Sequence, residues 1–305
     1  MRQRWQAARA GRLDRVLADA LGVSRGAVRR LLAGGRVTVK GRVAGASDKG
    51  QAVAAGDAIE VAGEPDPADQ RPIADVGAAL SVLASGETWA VVDKPAGTAV
   101  HPLRPGERAT VVNAAVARWP GMLSAVTADE PDGLRCGVVH RLDVDTSGAL
   151  LLGLTADAVG RLRAAFHGHR VTKTYAAVVA GTPPVEGEAR LHLRVAQHRP
   201  ARVAVVDEAG ADTRQCDLRW AVVERLDGAS VVRVDLGTGF LHQVRAMLAH
   251  LGHPLLGDRA YADDEAIAHA APRQMLHAER LGFEEIDAWA PWPADFEAVV
   301  NGLRR

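Results

Sequence analysis

The segment His140-Arg141-Leu142-Asp143-Val144-Asp145-Thr146-Ser147-Gly148 runs straight into Ala149-Leu150-Leu151-Leu152-Gly153-Leu154. The second half is an unbroken apolar run of strand length and reads as a buried strand. The first half closes on a Thr-Ser-Gly turn and carries an acid two residues after an arginine. An acid held between a basic arm and a core strand suits a catalytic acid, base or nucleophile. Read alone, the same residues equally suit a solvated turn with a local ion pair. In a strand-like segment Arg141 and Asp143 would point to one face.

Outward from this segment, strand-like runs fall at 89–93, 173–179, 189–195, 212–223, 231–236 and 275–283. Helical patterns fall at 110–118, 156–166 and 241–251, with Gly168 placed to end the middle one. Strand hairpins with interspersed helices make an α+β fold. Four further blocks flank the central one. They are Val91-Val92-Asp93-Lys94-Pro95-Ala96-Gly97 with His101-Pro102, and Lys173-Thr174-Tyr175-Ala176-Ala177-Val178. His242-Gln243-Val244-Arg245 follows, with His250-Leu251-Gly252-His253-Pro254 and Gly257-Asp258, and then 274–283.

In this order, over roughly residues 81–290, the blocks resemble the RNA pseudouridine synthases of the ribosomal large-subunit type. Those enzymes isomerise uridine within RNA by breaking an N–C glycosidic bond and making a C–C bond. The resemblance implies a mixed, largely antiparallel central sheet with the active cleft across it. It implies Asp143 as the catalytic carboxylate, Arg245 as its ion-pair partner, and Tyr175 stacked on the target base. Tyr175 is one of only two tyrosines. It implies Arg141 entering the RNA stack vacated by the flipped uridine, and Lys94 in the cleft wall, in reach of phosphate. His140, Thr146 and Gly148 are architectural in this reading. The carboxylate could attack C1′, attack C6 of the base, or abstract the C2′ proton; the residues leave all three open, and the family account favours the last. Two departures stand out. Gly239-Phe240-Leu241 replaces the usual Gly-Arg-Thr, and Val144 replaces the usual basic residue. Both bear on which RNA is read.

The N-terminal region has its own pattern. Residues 1–42 hold 11 Arg or Lys against two acids, a net of +9, so the rest of this neutral chain sums to −9. A concentrated basic patch binds phosphate even on a neutral protein. Leu13, Val16, Leu17 and Leu21 repeat at helical spacing, and Ser24 can cap a second helix through Val28, Leu31 and Leu32. Residues 36–40 and 58–61 alternate as short strands. The pattern resembles the S4 RNA-binding domain, with Arg12, Arg25, Arg29, Arg30, Arg36 and Lys40 as RNA contacts and residues 1–10 as a loose basic tail. The expected division is an S4-like domain over 1–62, a Pro-rich linker over 63–80, and the catalytic domain over 81–305, its core ending near Trp292. The tail 301–305 is expected at the surface.

Composition excludes other classes. The chain has 48% hydrophobic residues, no apolar run of membrane-span length, and no hydrophobic stretch behind its basic start. Cys136 and Cys216 form neither a disulfide framework nor a metal motif and suit a reducing cytoplasm. The eleven histidines lack zinc-ligand spacing, and no phosphate loop or dinucleotide fingerprint occurs. No metal and no cofactor is expected. The expected partner is structured RNA, 23S rRNA ahead of tRNA, and the expected state is a monomer. Two competing functions are a non-catalytic RNA-binding or ribosome-assembly factor, and a hydrolase built from Ser147, His140 and Asp143. No Gly-x-Ser-x-Gly elbow surrounds that serine.

Overall fold

The computed structural model describes residues 2–23, 25–63, 71–126, 133–198 and 200–304. Ser24, the side chain of Arg25 and residues 64–70 of the expected linker lie outside the described residues.

The N-terminal unit runs β1 (Arg2–Gln6), β2 (Gly11–Arg12), α1 (Leu13–Leu21), α2 (Arg25–Ala33), β3 (Val37–Val39), β4 (Arg42–Ala44), β5 (Ala52–Val53) and β6 (Ala58–Ala62). The apolar stripes of α1 and α2 close over a sheet of order β1-β6-β3-β4, and Leu13, Leu17, Val28, Leu32, Val37 and Ile59 form a core of their own. The tail expected over residues 1–10 is therefore corrected. Arg2–Gln6 is an edge strand paired antiparallel with β6, Trp5 opposite Ile59. Its sequence has one large apolar side chain and no alternation, so its register comes from β6 rather than from its own pattern.

The larger body continues with β7 (Ser81–Ser85), β8 (Trp89–Lys94), α3 (Val111–Arg118), β9 (Ser147–Gly153), α4 (Ala156–His167), β10 (Thr172–Ala180) and β11 (Glu186–His198). It ends with β12 (Ala201–Val206), β13 (Arg214–Arg225), β14 (Ala229–Leu236), α5 (Gln243–His250), α6 (Glu265–Ala268), β15 (Leu276–Phe283), β16 (Ile286–Trp289) and α7 (Ala294–Leu303). Among the described residues, its sheet has ten strands in the order β12-β11-β13-β14-β10-β15-β9-β8-β7, with β16 also on β15. The class is α+β, mixed and largely antiparallel, as expected. β15 is the junction. One edge pairs antiparallel with β10. The other pairs first in parallel with β9 (His277 to Ser147, Ala278 to Gly148), then antiparallel with β16. Only glycine fits this joint: a Cβ on Gly148, at φ 110°, would stand 2.2 Å from the Ala278 carbonyl oxygen.

Five elements of this body escape the sequence patterns, the short α6 among them. β7 and β16 are short edge strands, and β12 follows Pro200 directly. α7 extends the body past Trp292, because Phe296 and Val300 bury against Met275, Leu256 and Val231. The expected linker is tied down over its second half: Asn113 Nδ2 on α3 donates to the Ile73 carbonyl at 2.8 Å, and Asp75 N–H donates to the Asn113 carbonyl at 3.0 Å. No helix among the described residues is long and apolar enough to cross a membrane.

Candidate active site

Residues 140–146 form a turn, not a strand: Thr146 N–H donates to the Asp143 carbonyl at 3.1 Å. Arg141 is exposed and the Asp143 side chain is 22% exposed. Two side chains hold the turn from beneath. His140 stacks on Phe166 at 4.5 Å, and its Nε2 accepts the Leu151 N–H at 2.9 Å. Burial pushes this imidazole down to about 3, so it stays neutral and can accept.

Lys94 is the second support, and it corrects an expectation. It is fully buried, and its three ammonium protons go to the carbonyls of Pro95 (2.9 Å), Thr98 (2.8 Å) and Val144 (2.8 Å). All three donors are used, so Lys94 does not reach phosphate; it ties β8 to the Asp143 turn.

Across the cleft, α5 presents Arg245. Its Nη1 donates to Asp143 Oδ2 at 2.9 Å. Its other edge grips Asp258 twice, Nε to Oδ2 at 2.7 Å and Nη2 to Oδ1 at 2.8 Å. Asp258 is fully buried and had no role assigned from sequence. Burial works against the Arg245 charge, but the two carboxylates, Asp258 first, more than offset it and raise its pKa. Gly257 brings Asp258 in. At φ 77° it lies so close to Arg273 that a Cβ would stand 2.0 Å from the Arg273 carbonyl oxygen.

Tyr175 lies half-buried on β10 at a register shift against β15. Burial and then the Asp143 charge raise its phenol, which stays protonated at neutral pH. Phe240 and Leu241 pack against the core around Tyr175 and Val244. The turn they occupy is closed by Gln243 Oε1, which accepts the Phe240 N–H at 3.0 Å. His242 caps α5 in a left-handed conformation (φ 51°, ψ 22°). Its Nε2 stands 3.8 Å from Asp143 Oδ1, and its Nδ1 stands 2.9 Å from the Tyr261 hydroxyl.

The serine-histidine-aspartate arrangement does not form from the residues considered. Ser147 is buried and bonded instead to His277 Nδ1 (2.9 Å) and Arg273 Nη2 (3.2 Å), while His140 is spent on Leu151. Among the described residues, no cluster of three or more His, Cys, Asp or Glu side chains could hold a metal ion.

On the N-terminal unit, Arg29 and Arg36 are exposed and Arg30 is half-buried. Arg12 pairs with Asp14 at 3.0 Å and Lys40 with Asp57 at 2.8 Å. These carboxylates temper the basic arm. Residues 1–62 hold twelve Arg or Lys and five acids, a net of +7.

Residues 88–250 match the family model for RNA pseudouridylate synthase. An uncharacterised RNA pseudouridine synthase of Synechocystis is 32% identical over 96% of this chain and 89% of its own length. The ribosomal large subunit pseudouridine synthase D of Neisseria meningitidis is 31% identical, over 96% of this chain and 79% of its own. Among solved structures, human RNA pseudouridylate synthase domain containing 1 superposes with a TM-score of 0.59 at 25% identity, covering 72% of this chain and 87% of that one.

Proposed function

The chain belongs to the RNA pseudouridine synthases, and from that premise we propose that it isomerises uridine in structured ribosomal RNA, with Asp143 as the catalytic carboxylate. The observation that carries the assignment is the 2.9 Å contact between Asp143 and Arg245, residues 102 apart in sequence. The reaction conserves every atom of the nucleotide. The N1–C1′ bond breaks, the C5–C1′ bond forms, and the proton lost from C5 is balanced by one gained at N1.

Arg245 fixes Asp143 Oδ2 with a charge-assisted hydrogen bond, which leaves Oδ1 toward the substrate. Tyr175 offers its ring to the base. Arg141, exposed at the rim, fills the space left by the extruded uridine. Residues 1–62 act as an S4-like RNA-binding unit, through Arg29, Arg30 and Arg36, ahead of a linker over 63–80 and the catalytic domain. The relatives named for the ribosomal large subunit favour rRNA over tRNA. Beside Arg245, a cleft of about 380 Å³ lined by Arg202 and Arg259, with Asp145 also on its wall, suits an RNA backbone.

The test is Asp143→Asn. Pseudouridine is mapped in rRNA and tRNA from cells lacking the protein, after supplying the wild type or the variant. The variant should restore none of the wild-type sites, while purified variant binds RNA as before, because phosphate contacts dominate affinity. Restoration by the variant would remove Asp143 from the chemistry; sites confined to tRNA would reassign the substrate.

A further inference from the structure

His242 has a conformation that its position does not require. A non-glycine residue in the left-handed region is uncommon, and such strain collects where surrounding structure imposes it. As the N-cap of α5, His242 makes no side-chain capping bond. Its imidazole is instead aimed between two hydroxyl-bearing or acidic groups, with only 13% of the side chain exposed.

The bonds around Tyr261 bear on how that imidazole is protonated. The Tyr261 hydroxyl accepts the Val203 N–H of β12 at 2.8 Å. Its own proton is then free to point at His242 Nδ1, 2.9 Å away. With Nδ1 accepting that proton, the neutral ring would bear its hydrogen on Nε2. Nε2 is the nitrogen that faces Asp143 Oδ1 at 3.8 Å. Tyr261 is itself held: its side chain is buried, with the Arg245 guanidinium 5.1 Å and the Arg202 guanidinium 5.7 Å from its ring.

We propose that His242 is a positioning residue for the isomerisation: Tyr261 fixes it as the Nε2–H tautomer, and that N–H and Arg245 together set the orientation of the Asp143 carboxylate. The inference rests on Asp143 being the catalytic group. Arg245 takes Oδ2, and the His242 N–H stands opposite Oδ1. At 3.8 Å it is beyond hydrogen-bond distance, so the N–H acts on Oδ1 as a facing dipole and leaves its lone pairs for the uridine. A protonated His242 would put a second full positive charge against Asp143 and weaken it as base or nucleophile.

The groups facing the ring are Asp143 from the 140–146 turn, Arg245 from α5, and Asp258 and Tyr261 from the segment after α5. Burial keeps the imidazole neutral, against the pull of Asp143. The Tyr261 proton on Nδ1 also favours the neutral form.

Nitrogen-15 NMR of the full-length protein reads the tautomer directly and needs no activity. The wild type should show Nε2–H and a bare Nδ1 at His242. Tyr261→Phe should lose that preference and raise the His242 pKa, which moves the acid limb of the kcat profile to higher pH and leaves the alkaline plateau in place. His242→Ala should lower kcat about ten-fold or more with KM unchanged, and His242→Gln, which keeps an amide N–H, should recover most of it. A wild-type Nδ1–H tautomer would overturn the proposal. So would an acid limb that Tyr261→Phe does not move, or an equal loss of kcat in the alanine and glutamine variants. If the wild type made no pseudouridine, the proposed function would fail while the NMR result still stood or fell alone.

Discussion

Replacing Lys94 by methionine keeps most of the buried stem and deletes the ammonium that bonds Pro95, Thr98 and Val144. Hydrogen bonds from a charged donor contribute about 1.5–3 kcal/mol each, but burying an ammonium costs several kcal/mol, so the two largely offset. What remains is the cost of the stranded carbonyls. Those of Pro95 and Val144 belong to exposed residues and can rehydrate, whereas Thr98 is half-buried. One unsatisfied buried carbonyl costs about 1–3 kcal/mol, or roughly 2–12 °C of Tm at about 2–4 °C per kcal/mol. pH adds a second signature. Burial lowers Lys94 from 10.5 to about 8. With the folded pKa below the unfolded one, the unfolded chain binds more protons between those values. Wild-type stability therefore rises with pH across that window, by up to about 3 kcal/mol. The variant lacks this contribution. Thermal unfolding of both proteins at pH 7 and pH 10 should show the gap in Tm widening at the higher pH, with pseudouridine formation reduced in the variant because the Asp143 turn loses its tie. A gap that stays constant or narrows would refute the reasoning: Lys94 would then be a cation at ease in its carbonyl cage.

Arg141→Ala and Arg245→Ala should separate in single-turnover assays on paired and unpaired versions of one target. Arg141→Ala should slow the paired substrate more, since extrusion costs a few kcal/mol when the base is stacked and paired; equal proportional losses would remove it from flipping. Arg245→Ala should damage both alike, because Asp143 loses the partner at 2.9 Å. Gly257→Ala should destabilise by about 2–5 kcal/mol in denaturant titration, combining left-handed strain with overpacking against Arg273; a loss under about 1 kcal/mol would show that the Gly257–Arg273 approach is loose.

Much of the site was legible because its parts are locally encoded. The turn and strand around Asp143, the β10 block with Tyr175 and the α5 block with Arg245 each carry their own pattern, and the family resemblance implied that they converge. What escaped depends on partners distant in the chain. Asp258 is an ordinary acid after a glycine until α5 swings Arg245 over it. Lys94 reads as a cleft cation until the 140–146 turn folds onto its head. Tyr261 and His242 meet where the segment after α5 folds back on the helix start, and Val203 of β12 bonds the same hydroxyl. β1 and α7 have weak periodicity, and each is fixed by an apolar residue or two meeting a surface already built: Trp5 against Ile59, and Phe296 with Val300 against Met275.

The parallel joint between β9 and β15 has a consequence for synthesis. Ser147 and His277 are 130 residues apart, yet they bond across that joint. Closing so long a loop is entropically slow. At a translation rate of about 5–20 residues per second, His277 follows Ser147 by on the order of ten seconds. Until then the Asp143 turn hangs on β8 and β9, not yet joined through β15 to β10, the strand that carries Tyr175. On the proposed assignment of residues 1–62 to RNA binding, the binding unit is complete long before the chain can alter a base, and the joint beside Asp143 closes only when the chain is almost finished.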